Sequence, residues 1–457
     1  MKSKSTDMLH GPIMPSIIKY TVPIMLTSLL QVLFNAADLV VVGRYKGSLA
    51  LSAVGATSSI TALIINLFLG LSVGAGVAVA HSIGCNNREG VRQTVHTAIP
   101  AAFISGVFLT VFGIALARPC LVVMGTPADV LPLATLYMRI YFCGMTFSML
   151  YNFGASILRA VGDTKSPLII LASAGVMNVL FNIVFITQFG MGVDGVALAT
   201  ILSQAFSALM VLITLMRRSD DCKLIIEEIR IYKDELKRMI RIGLPAGIQG
   251  SLFSISNVII QSSINSFGQV FMAGSTAASN LESMVYVCIA SYLQTAVNFI
   301  GQNTGARQFT RVKKIFKGCI LGVTVTGIVL GCTVFFLGRP LLGIYITDSD
   351  PIVVKQAMDA GMIRLAFLTL PYFVCGLVEV TTGALRGLGS SVAPMVISVL
   401  GICGLRLVWI YTIFQIDKFH NPYGLFSSYL VSWFVTFGLQ LLAFVILYKR
   451  LKHTSID

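Results

Sequence analysis

Charged residues are scarce in this sequence. Only 11% of its 457 residues are Asp, Glu, Lys or Arg, whereas soluble globular domains carry about 25%. Hydrophobic residues supply 56% of the chain, and the mean hydropathy is +0.84. These values exclude an ordinary soluble domain and predict an integral membrane protein.

Groups that usually carry enzyme or metal chemistry are few and scattered. The nine Cys occur singly, without a Cys-x-x-Cys pair, so we interpret them as small buried hydrophobic residues. The five His, at positions 10, 81, 96, 420 and 453, do not cluster at metal-ligand spacing. Paired carboxylates and Asp-rich metal motifs, which an intramembrane enzyme would need, do not occur within the apolar segments either. We therefore predict neither an enzyme nor a metal site.

Long hydrophobic runs, in contrast, are abundant. A helix needs about 20 apolar residues to cross a hydrocarbon core of about 30 Å, and about twelve such runs recur along the chain. The first run is too long for a signal-peptide core, so we expect no cleavage. The expected fold is all-α integral membrane, with 12 transmembrane helices. The predicted spans are 15–43, 50–82, 93–117, 128–159, 166–188, 193–216, 238–266, 271–303, 316–338, 352–386, 392–415 and 423–448.

The net charge of +14 is distributed unevenly. Most of the 33 Lys and Arg lie in the termini and in the loops after even-numbered spans. By the positive-inside rule, we expect both termini and the long loop 217–241 to be cytoplasmic. No basic patch is interleaved with aromatic residues, so nucleic acid is not an expected partner. Apolar residues at helical spacing predict an amphipathic linker helix in that loop; they are Leu224, Ile225, Ile229, Tyr232 and Leu236.

The chain is internally repeated. KYTVP (19–23) matches RIGLP (241–245), and ILRAVGDTKSP (157–167) matches ALRGLGSSVAP (384–394). Each half holds an even number of spans, so the two repeats are parallel and favour a transporter working by alternating access over a pore. The predicted units are an N-lobe over 1–216, a cytoplasmic amphipathic linker over 217–237 and a C-lobe over 238–457.

A carboxylate interrupts the first span. An ionised Asp inside a bilayer costs at least about 2.5 kcal/mol, so Asp38 must face protein or a water-filled cavity. Gln31 and Asn35 share its helix face. Other spans offer polar groups at comparable depth, namely Asn178, Asn182, Thr200 and Gln204. These groups together suit a hard monovalent cation, or a carboxyl group that takes up and releases a proton.

These features resemble the bacterial multidrug and toxic compound extrusion (MATE) family, within the multidrug/oligosaccharidyl-lipid/polysaccharide exporter superfamily. The resemblance covers the whole chain. It rests on the twelve spans, the two repeats, VGRYKGSLALSAVG after span 1, IGQNTGARQFTRVKK after span 8 and the two Leu-Arg-x-x-Gly motifs. It implies efflux of mostly cationic amphipathic compounds, driven by protons or sodium ions through rocking of the two lobes.

The resemblance also implies roles for residues of the N-lobe. Pro23 matches a position at which span 1 can bend. Asn182 stands where archaeal members have a second Asp, and Phe34 stands where some members have Tyr. The missing carboxylate favours proton coupling through Asp38 over a high-affinity sodium site. Residues expected to serve cation coupling are Asp38, Gln31, Asn178, Asn182 and Thr200.

The second half departs further from the family, because span 7 lacks the acid of members with a C-lobe sodium site. Glu282 and Arg406 lie at similar depth, and Glu379 lies nearer the cytoplasmic end of span 10. We hypothesise an internal ion pair between Glu282 and Arg406. The pair either locks the C-lobe or leaves Glu282 to contact a cationic substrate or a second proton. Arg139 and Arg364, which the repeat matches, are interpreted as structural.

The expected function is therefore an antiporter, coupled to H⁺ or Na⁺, that exports cationic or amphipathic drugs or other toxic organic compounds across the cytoplasmic membrane. The alternative is a lipid or lipid-linked oligosaccharide flippase of the same superfamily. A flippase would need a cationic central cavity, for which the in-span Arg are too sparse. The expected partners are small-molecule substrates, mainly organic cations, and the lipid bilayer. The chain is expected to act as a monomer, without a cofactor other than the coupling ion.

Overall fold

A computed structural model describes residues 5–346 and 350–454 of the chain. Every regular element in these two ranges is helical. Ten helices of the described chain are long and apolar enough to cross a membrane, and the number reaches twelve when each of two bent helix pairs is taken as one span. The predicted all-α membrane fold is confirmed.

The first six spans follow one another with short connections. They are α1 (Ile13–Gly47), α2 (Leu49–Gly84), α3 (Arg88–Val123), α4 (the bent pair Leu131–Cys143 and Met145–Ala160), α5 (Lys165–Thr187) and α6 (Val193–Met216).

The last six spans repeat this pattern. They are α7 (Lys233–Asn265), α8 (Gln269–Gly305), α9 (Phe309–Phe336), α10 (the bent pair Pro351–Leu368 and Tyr372–Gly387), α11 (Val392–Gln415) and α12 (Pro422–His453). α11 contains the π-helical segment Val399–Gly404. Short helices outside the spans are Ile226–Glu228, Gly338–Gly343 and Asp417–Phe419.

α1 and α2 form one continuous helical segment with a single backbone break. At Gly47, φ is 81° and ψ is −176°, a conformation that a residue with a side chain rarely adopts. Next to the break, Lys46 Nζ donates a hydrogen bond to the Gly190 carbonyl at 2.7 Å. The two predicted spans therefore meet at a glycine instead of a loop.

Two spans are bent. α4 bends by 48° around Gly144, and α10 bends by 45° between Leu368 and Tyr372. In α10, Pro371 immediately precedes the second helix and has no N–H to continue the helical hydrogen bonds of the first. Each bent pair corresponds to one predicted span.

The chain divides into two compact units. Unit 1 comprises Met1–His10 and Val22–Ser251, and unit 2 comprises Gly11–Thr21 and Leu252–Asp457. The lobe boundaries placed at 216 and 238 from the sequence stay a prediction.

Each unit has its own apolar core. In unit 1, α3, α4 and α6 pack around side chains such as Phe142 and Phe153, which are fully buried. In unit 2, α8 packs along α9 and α10, and Phe299 and Phe426 are fully buried. These cores hold the helices that carry the polar residues described below.

The segment between α6 and α7 is not the amphipathic helix predicted from its apolar spacing. Its only helical turn is Ile226–Glu228. The Ile225 N–H donates to His96 Nε2 at 3.0 Å, and the Tyr232 N–H donates to Thr97 Oγ1 at 3.1 Å. Because these backbone donors bond to side chains of α3, they do not form a helix of their own. The linker therefore lies as a strap on the first turns of α3.

Candidate functional site

Four helices of unit 1 enclose a cavity of about 120 Å³. α1, α4, α5 and α6 all contribute to it, and most of the side chains are polar although the helices are strongly apolar. The lining residues are Gln31, Phe34, Asn35, Asp38, Ser148, Tyr151, Asn152, Leu171, Ala174, Gly175, Asn178, Thr200, Ser203, Gln204 and Ser207.

A chain of hydrogen bonds starts at the carboxylate of this cavity. Asn182 Nδ2 donates to Asp38 Oδ1 at 2.5 Å. The same Nδ2 donates to Asn178 Oδ1 at 3.3 Å, and Asn178 Nδ2 donates to Thr200 Oγ1 at 3.4 Å. The structure thus brings together four of the five residues predicted for cation coupling. The fifth, Gln31, lines the same cavity.

One acceptor in this network has no partner. Asn182 is 0% exposed, and its Oδ1 accepts no hydrogen bond from any described residue. A buried polar atom left unpaired costs about 1–3 kcal/mol. Together with Asp38, this carbonyl oxygen offers ligands for a hard cation, or an acceptor for a proton donor.

Two tyrosines of α4, which no sequence pattern linked to Asp38, also belong to the surroundings of its carboxylate. Tyr137 and Tyr141 interact electrostatically with Asp38, and their rings stack with centroids 6.0 Å apart. Their spacing of four residues puts them on one helix face. That spacing was visible in the sequence, but without a tertiary contact it did not point to Asp38.

The aromatic side chain of α1 requires a glycine on α5. A Cβ atom on Gly175 would come within 1.8 Å of the Phe34 ring. Only glycine therefore lets Phe34 lie against α5 beside Asn178. The Phe at this position is part of the wall of the cavity.

Pro23 lies inside α1, and the helix continues through it. Proline has no N–H, so the helical hydrogen bond that would end on Lys19 is missing. Thr27 Oγ1 bonds to the Pro23 carbonyl at 2.7 Å. The helix is weakened at this point, and the hinge function of Pro23 stays a prediction.

Unit 2 contains a larger cavity, of about 310 Å³. α7, α8, α10, α11 and α12 line it. Its wall mixes ionic groups with aromatic rings. The lining residues are Phe253, Ser256, Asn257, Ile260, Gln261, Ile264, Ser279, Glu282, Ser283, Tyr286, Arg364, Tyr372, Cys375, Glu379, Ile402, Cys403, Arg406, Tyr429 and Trp433.

The hypothesised ion pair between Glu282 and Arg406 is wrong, because Glu282 pairs with Arg364. Arg364 Nη2 and Nε donate to Glu282 Oε2 at 2.9 and 3.1 Å. Depth along the spans could not decide between the two arginines. The close approach of α8 and α10 decides it: a Cβ on Gly274 would lie 1.9 Å from the Ala357 carbonyl oxygen. This approach brings Arg364 of α10 onto Glu282 of α8.

Arg406 is held by different neighbours. Its Nε donates to Ser432 Oγ at 2.9 Å, and its guanidinium carbon lies 3.9 Å from the centroid of the Tyr429 ring and 5.8 Å from that of Trp433. The third predicted residue, Glu379, accepts a hydrogen bond from the Tyr286 hydroxyl at 3.1 Å. All three predicted residues of the second half line one cavity.

Comparison with known proteins gives consistent relatives. A family model described as MatE matches residues 23–184 and 245–412. The "Probable multidrug resistance protein YoeA" of Bacillus subtilis (strain 168) is 27% identical over 396 residues, which are 85% of this chain and 84% of that protein.

Two solved structures share the fold over the full length of both chains. A MATE protein crystallised "in the bent conformation" is 21% identical and superposes with a TM-score of 0.90, covering 100% of each chain. A MATE protein "in the straight conformation" is 20% identical, with a TM-score of 0.86 and the same coverage.

Proposed function

Since the chain belongs to the MatE family of multidrug efflux transporters, we propose that it is a cation-coupled antiporter that exports organic cations and other amphipathic compounds across the cell membrane. In this proposal both termini are cytoplasmic, as the distribution of Lys and Arg predicts, and the chain works as a monomer. The comparisons give the flippase alternative no support.

The observation that carries the proposal is the hydrogen-bonded chain from Asp38 through Asn182 and Asn178 to Thr200. Within the described ranges, no Lys or Arg forms an ion pair with Asp38. A carboxylate at membrane depth without a counter-charge is unfavourable. A proton or Na⁺ that neutralises it therefore gains binding free energy from the site.

Binding at Asp38 would change the hydrogen bonds around it. A carboxyl group that takes up its proton on Oδ1 donates at the atom that accepted from Asn182. The Nδ2 of Asn182 then loses its acceptor, while the unpaired Oδ1 of Asn182 becomes the better partner. A rotated Asn182 amide would also give up its bond to Asn178. Protonation thus alters how α1 is attached to α5, which is the differential affinity that coupling requires.

Pro23 would convert this change into movement. The related proteins crystallised in bent and straight conformations suggest that the fold has at least two forms. In this chain, α1 lacks one hydrogen bond at Pro23, so a bend costs least there. We propose that neutralising Asp38 favours one form of α1 and ionising it favours the other.

The single carboxylate favours H⁺ over Na⁺ as the coupling ion. The affinity of an oxygen site for a hard cation rises with the charge of its ligands, and this cavity offers Na⁺ one carboxylate. Here Asn182 occupies the place of a second acid, and its amide nitrogen points at Asp38. A donor at that position suits a carboxyl group that titrates.

The test is a transport assay with purified protein in liposomes. An imposed pH gradient should drive accumulation of a fluorescent organic cation, and Asp38→Asn should abolish it. Asp129→Asn is the matched control, because it removes the same charge from an exposed loop between α3 and α4. Full-rate transport by Asp38→Asn would refute the mechanism, and dependence on a Na⁺ gradient alone would refute proton coupling.

A further inference from the structure

The larger cavity of unit 2 contains a carboxylate that is already satisfied. Glu282 Oε2 accepts both hydrogen bonds from Arg364, and its Oε1 accepts one from the Tyr372 hydroxyl at 3.0 Å. Ser275 Oγ binds another nitrogen of Arg364 at 3.0 Å. The two charges compensate each other, so neither is available to attract an ionic ligand.

The other acid of this cavity is also engaged. Glu379 accepts a hydrogen bond from Tyr286 and interacts electrostatically with Arg386, another residue of α10. A cationic ligand would therefore have to displace protein partners at either carboxylate. The cavity is poorly arranged to attract an organic cation through its acids.

Arg406 is the ionic group of the cavity that lacks such compensation. It is only 5% exposed, and no carboxylate of the described chain lies within ion-pair distance of it. Its Nε is bonded to Ser432, whereas its two terminal nitrogens make no hydrogen bond to a described residue. Because a guanidinium stays charged in proteins, these donors favour an anionic acceptor.

The position of this guanidinium is built into the fold. Arg406 lies two residues after the end of the π-helical segment Val399–Gly404 of α11, and such segments commonly occur at functional sites. Stacking on Tyr429 and the bond to Ser432 fix the group from α12. Aromatic side chains, including Trp433 and Tyr286, supply the apolar wall beside it.

We propose that the unit 2 cavity binds aromatic compounds that carry a carboxylate, with the carboxylate on the Arg406 guanidinium and the ring against the Tyr429 and Trp433 wall. The inference rests on the proposed export function and adds an anionic class to its amphipathic substrates, beside the organic cations. A planar guanidinium pairs with a carboxylate through two parallel hydrogen bonds. The volume of about 310 Å³ is at the lower end for small-molecule sites and suits a fused two-ring compound.

The experiment compares three probes of one shape. 2-Naphthoate is anionic, 2-naphthamide is neutral and 2-naphthylmethylammonium is cationic. Binding to the purified full-length protein is measured by titration calorimetry. We expect wild type to bind naphthoate about tenfold or more tightly than naphthamide, as hydrogen bonds to a charged group imply, and to bind the ammonium probe more weakly still.

Variants assign the preference to one residue. Arg406→Gln should remove the preference for naphthoate while affinity for naphthamide stays, and Arg406→Lys should keep part of it. Arg118→Gln, which removes one charge from an exposed position of α3, should bind like wild type. If Arg406→Gln does not fold, Arg406→Lys becomes the test. Because lysine cannot form the bidentate contact, this variant must lower the affinity for naphthoate more than the affinity for naphthamide.

Three results would overturn the inference: equal affinities of wild type for naphthoate and naphthamide, tighter binding of the ammonium probe, or an unchanged preference in both Arg406 variants. Asp38→Asn separates this inference from the proposed function. Loss of cation-driven transport in Asp38→Asn, without any carboxylate preference in wild type, refutes this inference alone. An Arg406-dependent preference together with full transport by Asp38→Asn refutes the coupling mechanism alone.

Discussion

The two cavities use matching positions of the repeat for different chemistry. The first has an acid among carboxamides and hydroxyls, and the second has a stacked guanidinium among aromatic rings. Duplication thus fixed where the cavities lie, and later substitutions decided what each can bind. The matching pairs that line both cavities include Gln31 and Phe253, Asn35 and Asn257, Asp38 and Ile260, Ser148 and Cys375, Asn152 and Glu379, Thr200 and Tyr429, and Gln204 and Trp433.

The π-helical segment explains how an arginine entered the second cavity. α5 is a regular helix, whereas α11 contains Val399–Gly404, whose hydrogen bonds span one residue more per turn. When one inserted residue is counted there, Arg406 falls opposite Asn178. Asn178 bonds to Thr200, and Arg406 stacks on Tyr429, the residue that matches Thr200. The same helix contact has become a hydrogen bond in one half and a cation–π contact in the other.

The largest expected effect comes from replacing Asp38 in the first cavity by isoleucine, the residue type at the matching position of the second cavity, Ile260. Asp38→Ile removes the titrating group, so gradient-driven transport in liposomes should fall by about 100-fold, the upper range of such couplings. Asp38→Glu keeps an acid and should retain measurable coupling. Ile260→Asp on the Asp38→Ile background should not restore transport, because the second cavity lacks the partners Asn178 and Asn182. Restoration would show that the two cavities are interchangeable.

Breaking the buried ion pair of unit 2 should lower the free energy of unfolding far more than removing the Asp38 charge of unit 1. Glu282→Gln leaves the Arg364 charge uncompensated and should cost about 3–5 kcal/mol of unfolding free energy, measured by denaturant titration in detergent. Asp38→Asn should cost far less, since Asp38 has no ion pair to break. Asp359→Asn, which breaks the exposed pair with Arg339, should cost at most about 1 kcal/mol. Equal losses in all three variants would contradict this distinction.

A smaller effect concerns the contact of α1 with α5. Gly175→Ala drives a methyl group into the Phe34 ring and should destabilise the protein by about 1–3 kcal/mol. The second half has Ser256 and Cys403 at the matching positions. Phe34→Ser should therefore rescue Gly175→Ala, as thermal unfolding in detergent would show. A Gly175→Ala protein as stable as wild type would mean that Phe34 moves freely.

The sequence predicted the helices and the first cavity well because both follow from local patterns. Apolar run length marks the spans, and helical spacing placed Asp38, Asn178, Asn182 and Thr200 at one depth. The predicted partner of Glu282 was wrong, because depth along the spans could not decide between Arg364 and Arg406. Only the close packing at Gly274 distinguishes them.

The strap could not be predicted for a related reason. Its backbone depends on contacts between distant parts of the chain. Leu224 and Tyr232 have helical spacing, yet the linker backbone finds better partners on α3. Helical spacing of apolar residues predicts which face of a segment is apolar. It does not show that side chains of another helix accept the hydrogen bonds of the segment's backbone.

The smallest expected effect is the pH dependence of the strap. The hydrogen bonds from Arg92 lower the pKa of Glu228 below its usual value. Because the folded pKa of Glu228 lies below its unfolded pKa of about 4, the contact with Arg92 stabilises the strap fully above about pH 4. This stabilisation is lost as the pH falls through the folded pKa of Glu228. Hydrogen exchange at the Tyr232 N–H, which bonds to Thr97, reports on the strap.

Protection of the Tyr232 N–H should decline below about pH 4 in wild type and should be low and nearly independent of pH in Glu228→Gln. Glu227→Gln, one residue away and exposed, should behave like wild type. His96 lies 3.6 Å from Glu228 and accepts the Ile225 N–H. If the decline persists in Glu228→Gln, the contact between Arg92 and Glu228 does not control the strap.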